Sequence, residues 1–418
     1  MNEIKDVQER LILFAVNTEE KDHTADSIEE LKELVKTAGA ETVGTMIQNL
    51  SAPISGTYLG KGKIEELKEM IYESDATGVV CDDELSPAQM KNLEDVLGVK
   101  VMDRTLVILD IFANHAKSAE GKIQVELAQL RYRMTRLAGF GTSMSRLGGG
   151  IGTRGPGETK LESDRRVISG RISKLKQELK KIEAHRDLTR KQRERNALPV
   201  AAIVGYTNAG KSTLLNALTD AGILAEDQLF ATLDTTTRKM KLPGNDEILL
   251  TDTVGFIRKL PHHLIDAFKS TLEEAVYADY VVHVVDASNP QMDDQMRIVY
   301  ETLAELGVSN KKILTLFNKC DKLTDTNPLH DFRANKVLRI SAKEKTGLTE
   351  ACDALEEFLR EDRIFVKEAV LTYKDMGLLE EIRKTGELQK ESYEEDGIHV
   401  SAYVTRATYG KISSCIIE

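Results

Sequence analysis

Between residues 10 and 118 the chain alternates short runs of β-branched and aliphatic residues with stretches whose apolar positions return every three or four residues. LILFAVNT, ETVGTMIQNL, ATGVVCDDE and VKVMD read as strands, and SIEELKELVKTAG, KIEELKEMIYES and SPAQMKNLEDVLG as the helices between them. Such alternation predicts a parallel α/β layer. The acidic pair Asp82 and Asp83 follows the third strand run with no partner cluster nearby, and is expected to be a solvated strand end.

The pattern changes over residues 119 to 195. Two helical stretches, GKIQVELAQLRYRMTRL and LESDRRVISGRISKLKQELKKIEAHRDLTRKQRER, flank AGFGTSMSRLGGGIGTRGPGETK. In the second helix Leu161, Val167, Ile168, Ile172, Leu175, Leu179 and Ile182 recur at threes and fours, with a one-residue step at Val167 and Ile168, and predict packing on the first. Eight of the 28 glycines lie between Gly139 and Gly157, so the connection is too long and too bare to form a core. An antiparallel helical hairpin with a glycine-rich tip is expected.

From Leu198 onward the pattern carries chemistry. PVAAIVGYTNAGKSTLLNALT is a buried strand, a glycine loop and an apolar helix, the context that GxxxxGK[ST] requires. The loop is Gly205, Tyr206, Thr207, Asn208, Ala209, Gly210, Lys211 and Ser212, with Thr213 opening the helix. Its glycines let backbone N–H groups wrap a phosphate chain, and the helix N-terminus adds partial positive charge. Lys211 is expected to act catalytically on the β and γ oxygens, and the Ser212 hydroxyl to ligate Mg²⁺.

Three further runs end successive predicted strands, where parallel sheets take ligands. DEILLTDTVG ends in Asp252, Thr253, Val254 and Gly255; the carboxylate suits Mg²⁺, and the Gly255 N–H suits a γ-phosphate, a second catalytic role. KKILTLFNKCD ends in Asn318, Lys319, Cys320 and Asp321. The Asp321 carboxylate can accept from N1 and the 2-amino group of guanine, a donor pair that adenine lacks. Leaving it half satisfied costs roughly 1 to 3 kcal/mol, which selects GTP over ATP by about one or two powers of ten and leaves room for weak ATP hydrolysis. KVLRISAKEKTG then supplies Ser341, Ala342 and Lys343, a turn whose backbone can meet the base. Residues 364 to 418 read as strand (IFVKEAVLTY), helix (DMGLLEEIRK), a turn at Asp396 and Gly397, and strand (IHVSAYVTR). The fold class is therefore multidomain α/β: a parallel α/β domain over 1–118, a helical hairpin over 119–195, a P-loop GTPase domain over 198–362, and a small α/β domain over 363–418.

Composition sharpens this picture. The chain has 418 residues, is 41% hydrophobic and 30% charged, and carries a formal charge of −11, which alone argues against a nucleic-acid partner. The balance is uneven: residues 131 to 195 hold 18 Lys and Arg against 7 Asp and Glu, a local +11 that leaves −22 for the remainder. Arg136, Arg146 and Arg154 at the glycine tip, with Arg165 and Arg166 beyond it, are candidate RNA contacts, since arginine makes bidentate phosphate bonds where glycine lets the backbone approach. Cys81, Cys320, Cys352 and Cys415 form no metal spacing and read as reduced thiols; His262, His263 and His283 receive no role. The acidic N-terminus and the absence of an apolar window near ~18 residues point to a cytoplasmic protein without a membrane span.

The ordered nucleotide motifs resemble those of translation-factor-class GTPases. The loop GGGIGTRGPGETKLESDRR and the run LFATLDTTTR extend the resemblance, over nearly the whole chain, to the HflX family of ribosome-associated GTPases. It implies a monomer that binds GTP and GDP with Mg²⁺, associates with the large ribosomal subunit near the peptidyl-transferase region, and in some members splits stalled or idle ribosomes under stress or antibiotic challenge. It also places Phe230, Ala231, Thr232, Leu233 and Asp234 in switch I, with Thr232 the preferred Mg²⁺ ligand and Thr236 the alternative. Thr235 stands where many members have proline, and Asn208 where K⁺-activated GTPases carry an asparagine ligand, making K⁺ a candidate cofactor. Phe256 follows Gly255 where Ras-like enzymes place a water-orienting glutamine, so slow unassisted hydrolysis is expected. A nucleotide-gated assembly scaffold without splitting activity, and a signalling GTPase without an RNA partner, are the competing readings.

Overall fold

The computed structural model describes residues 8–18, 23–144, 156–195, 198–219, 229–230, 236–244, 246–261, 264, 273–323 and 328–417. The chain resolves into two compact units. The first comprises Met1–Glu183 with Glu226–Asp234 and Val254–Thr271; the second comprises Ala184–Ala225, Thr235–Thr253 and Leu272–Glu418.

In the first unit, β1 (Arg10–Asn17), β2 (Glu41–Asn49), β3 (Gly78–Cys81) and β4 (Lys100–Asp103) form a parallel sheet in the order β2-β1-β3-β4. Helices α1 (Thr24–Thr37), α2 (Lys61–Ser74) and α3 (Pro87–Leu97) are the crossovers that the pattern predicts. Ser86 starts α3 with a capping box: its hydroxyl accepts from Gln89 N, and the Gln89 side chain accepts from Ser86 N. A fourth helix, α4 (Arg104–His115), follows β4 directly, capped by the Asp103 carboxylate on Leu106 N.

The acids after β3 depart from expectation. Asp82 is fully buried: it accepts from Ser27 Oγ at 2.7 Å and pairs with Arg104 Nη1 at 2.8 Å, while Arg104 also holds Glu30 at 2.6 Å. A lone buried carboxylate is costly, and these partners make burial tolerable. Burial, the largest single effect, pushes the Asp82 carboxyl up, but Arg104, Lys259 and the Ser27 hydroxyl together hold it below its ordinary range. The expected solvated strand end is therefore wrong for Asp82.

Helices α5 (Ala119–Met144) and α6 (Pro156–Arg195) belong to the hairpin segment. Leu127, Ile172 and Leu175 are buried together, with Ile123, Leu130, Met134 and Ile168 packed on them. The step at Val167 and Ile168 resolves in favour of Ile168, since Val167 is 69% exposed. Arg171 clamps Glu126 across the pair through Nε–Oε1 at 2.7 Å and Nη2–Oε2 at 2.9 Å.

The second unit is built on a six-stranded sheet of β5 (Val200–Gly205), β6 (Thr236–Lys241), β7 (Glu247–Asp252), β8 (Tyr280–Asp286), β9 (Lys312–Asn318) and β10 (Lys336–Arg339). Its order is β10-β9-β8-β5-β7-β6, parallel except for β6. The core joins the sheet to α7 (Lys211–Thr219) and α9 (Leu348–Glu361), and α8 (Met292–Glu305) packs on β8 and β5. A smaller antiparallel sheet of β11 (Ile364–Leu371), β12 (Glu387–Glu394) and β13 (Gly397–Val404), in the order β11-β13-β12, packs with α10 (Met376–Thr385) and α11 (Arg406–Ile412) around its own core. Among the described residues no helix is long and apolar enough to cross a membrane.

Candidate nucleotide site

The central strand β5 delivers the glycine loop at the carboxyl edge of the six-stranded sheet. Two glycines are required by geometry. Gly205 has φ +155°, and a Cβ there would lie 2.2 Å from the Val284 carbonyl oxygen of neighbouring β8. Gly210 has φ +96°, and its Cβ would meet Asn318 Nδ2 at 2.2 Å. Between them Asn208 is exposed and left-handed, at φ 59°.

Lys211 folds onto its own loop: Nζ donates to Tyr206 O at 2.8 Å and Gly205 O at 3.2 Å. Burial pulls its pKa down to about 8, with Asp252 opposing the shift and Lys319 adding to it. A phosphate chain brings negative charge to this ammonium and raises the value again. The sign follows: above about pH 8 the free protein holds Lys211 neutral, so binding must take up a proton. GTP affinity is expected to be flat below pH 8 and to fall by up to about tenfold per pH unit above it. Fluorescent-nucleotide titrations from pH 7 to 9.5 check this; a flat profile would show that Lys211 is already charged.

Ser212 donates from Oγ to Asp252 Oδ2 at 2.8 Å. A hydroxyl and a carboxylate meeting at the mouth of the loop form a hard-oxygen pair that suits Mg²⁺. Thr253, next in the chain, turns inward and donates from Oγ1 to Ile203 O at 2.8 Å, while Val254 and Gly255 are buried beyond it. Thr236 begins β6 directly opposite Asp252 in the ladder. Ala231, Thr232, Leu233 and Asp234 lie outside the described residues.

The Asn-Lys-Cys-Asp and Ser-Ala-Lys runs are joined to the glycine loop by Asn318. Its Nδ2 donates to Ala209 O at 2.8 Å, and its Oδ1 accepts from Ala342 N at 2.9 Å. Lys319 is left-handed, φ 61°, and its Nζ pairs with Asp286 Oδ2 at 2.8 Å. Ser341 Oγ donates to Asp321 Oδ1 at 2.6 Å, which holds the Asp321 carboxyl below its ordinary range and orients it. Cys320 contributes its backbone N–H to Ile340 O at 3.2 Å, and Lys343 is exposed. The sequence runs thus converge on one edge of the sheet. Asp286, which fixes Lys319, escapes sequence reasoning, although its place at the end of YVVHVVDAS is the available signal.

Two expected contacts take other work. Phe230 buries its ring edge-on against Phe112 of α4, with centroids 4.7 Å apart, inside the first unit. Arg136 pairs with Asp103 Oδ2 at 2.5 Å, donates to Leu85 O at 3.2 Å and stacks on Tyr132. Its guanidinium is committed to a buried carboxylate and is poorly placed for RNA, a correction to its assignment by charge pattern. Arg165 and Arg166 are exposed on α6; Arg146 and Arg154 lie outside the described residues.

A glycine loop closed on its lysine, a serine and aspartate pair for a cation, and an Asn-Lys-Cys-Asp run braced by the Ser-Ala-Lys turn define a P-loop GTPase, an enzyme that hydrolyses GTP. Comparisons with known proteins agree. Family models match residues 25–113 as GTP-binding GTPase N-terminal, 115–193 as GTP-binding GTPase Middle Region, and 200–319 as 50S ribosome-binding GTPase. A GTPase HflX from Lacrimispora saccharolytica is 61% identical over 98% of this chain and 97% of its own. One from Caldanaerobacter subterraneus subsp. tengcongensis is 48% identical over 100% and 96%. A solved chain described as the SsGBP and GDP complex aligns with 84% of this chain and 98% of its own at 28% identity, with a TM-score of 0.47, too loose to bear on site geometry. The chain belongs to the HflX family of GTPases.

Proposed function

We propose that this GTPase acts on ribosomes: it binds the large subunit through the α5–α6 hairpin, close to 23S rRNA at the peptidyl-transferase region, and uses GTP to split stalled or idle ribosomes. The observation that carries this reading is the exposed basic face of α6, where Arg165, Arg166, Lys174, Lys176, Lys180 and Lys181 all meet solvent on a chain that is acidic elsewhere. Such a distribution aims one element at phosphate and repels it from the rest. The family model named for 50S ribosome binding supports the same partner.

Ser212 and Asp252 would hold Mg²⁺, with Thr232 as a further ligand, and the ion would neutralise charge on the β and γ oxygens. Asn208, exposed and left-handed, would offer its amide oxygen to K⁺. Phe256 is 2% exposed and has no polar atom with which to orient water. Basal hydrolysis is therefore slow, and the ribosome accelerates it by ordering the switches or adding charge. The protein works as a monomer in the cytoplasm.

Sucrose-gradient sedimentation of 70S ribosomes with the protein and a non-hydrolysable GTP analogue tests the proposal. Free 50S and 30S peaks are expected. Intact 70S, or protein riding on 50S alone, would leave a binding scaffold in its place. Arg165→Ala together with Arg166→Ala should weaken 50S binding and reduce its salt slope by roughly 0.7 to 0.9 log units per lost phosphate contact.

A further inference from the structure

The small C-terminal sheet gathers four titratable side chains that neither the nucleotide site nor the hairpin uses. Glu394 ends β12, Asp396 lies in the turn to β13, and His399 stands third in β13, opposite Ser392 of β12 and Val370 of β11. The fourth is Glu368 of β11, brought there by a bulge. The register slips between Val366 and Ala369, so that Lys367 and Glu368 together oppose Ser401, and such an irregularity re-aims a side chain.

The two ring nitrogens of His399 have different work. Nδ1 faces Glu368 Oε1 at 2.9 Å, whereas Nε2 faces Asp396 Oδ1 at 3.0 Å and Glu394 Oε2 at 3.8 Å. The ligand atoms of Glu394, Asp396 and His399 all lie within 4.8 Å of one another. A cation about 2.0 to 2.2 Å from each donor holds such atoms about 3 to 3.5 Å apart, so a small rotation of the exposed Glu394 and Asp396 side chains reaches ligand spacing. The imidazole is only 15% exposed and is held between its strands, while both carboxylates are open to an arriving ion. A carboxylate accepting from Nδ1–H fixes the ring and leaves Nε2 to coordinate, the pairing that metal-bound imidazoles usually carry. Two carboxylates alone would suit any hard cation. The nitrogen turns the set toward zinc-class ions, since Mg²⁺ and Ca²⁺ prefer oxygen throughout.

We propose that Glu394, Asp396 and His399 bind a zinc-class divalent cation, with Glu368 as the residue that positions the His399 ring. The ion takes the place of the proton that Nε2 otherwise shares with Asp396, and that proton passes to water. Three protein ligands leave the remaining positions to water, and the bound ion ties the β12–β13 turn to the central strand of the sheet.

Calorimetric titration of the full-length protein with Co²⁺, a probe for this class of ion, tests the assignment, with Mg²⁺ and GDP in excess to keep the nucleotide site filled. Wild type is expected to take up one Co²⁺ that about a thousandfold excess of Mg²⁺ does not displace. His399→Ala should lose this binding, and Asp396→Asn, a change that a turn position tolerates, should weaken it about tenfold or more. Glu368→Ala removes no ligand and should weaken it about tenfold through the freed ring. An unchanged thermal transition without Co²⁺ marks each variant as folded. No uptake by wild type, displacement by Mg²⁺, or uptake that survives both His399→Ala and Asp396→Asn would overturn the proposal and leave an ion-paired histidine in its place. Unchanged affinity in Glu368→Ala would overturn the positioning role.

Discussion

Gly205→Ala is expected to abolish nucleotide binding and to lower the thermal transition of the GTPase unit by about 10 °C. The added methyl would stand 2.2 Å from a carbonyl oxygen of β8, a backbone atom in the middle of a six-stranded sheet that cannot swing away like a side chain. Forcing the two strands apart costs about 2 kcal/mol by analogy with overpacked cores, and φ +155° adds about 2 kcal/mol of backbone strain for any residue with a Cβ. Together they amount to about 4 kcal/mol of a margin of typically 5 to 15. Calorimetry of the intact protein, with nucleotide titration alongside, reads both effects. A transition within about 2 °C of wild type would show that β8 yields more readily than its pairing on both sides implies.

Asp321→Ala should weaken GTP binding about 100-fold while leaving ATP binding unchanged. Two hydrogen bonds from guanine to a carboxylate are lost, each contributing about 1.5 kcal/mol. Ser341 already donates to Oδ1 at 2.6 Å, so the carboxylate is aimed before the base arrives and little of its binding energy is spent on ordering it. Inosine triphosphate, which lacks the 2-amino group, provides the internal control: it should bind wild type about tenfold more weakly than GTP, and bind the variant as GTP does. Competition titrations against a fluorescent guanine nucleotide measure all three. If the variant still preferred GTP, the Ala342 and Lys343 backbone would be reading the base instead.

Nucleotide chemistry is legible in the sequence because it is local. Gly205 to Ser212 is one turn of chain, and each further run ends a strand in the same sheet, so linear order alone gathers them. Asp82 shows the opposite case. Its partners Arg104, Ser27 and Lys259 lie 22, 55 and 177 residues away, so nothing beside it in the sequence signals burial. Arg136 misleads for the same reason, since its carboxylate, Asp103, is 33 residues upstream on a strand. Two elements are also hidden. RTLVILDIFANH, helix α4, is apolar on too many sides to show a period, with seven of its residues buried. ELQKESYE, strand β12, is polar at nearly every position because it is an edge strand with few buried residues, and only its pairing with β13 defines it.

Helix α6 has 40 residues, Pro156–Arg195, and at 1.5 Å per residue it extends about 60 Å. A rod of that length amplifies movement: a tilt of about 10° about one end would sweep the other through about 10 Å. In mechanical terms a shaft of this length would convert a short, strong displacement into a long, weak one, and the work it could do would be limited by how stiffly Leu127, Ile172, Leu175 and the Arg171–Glu126 clamp brace it.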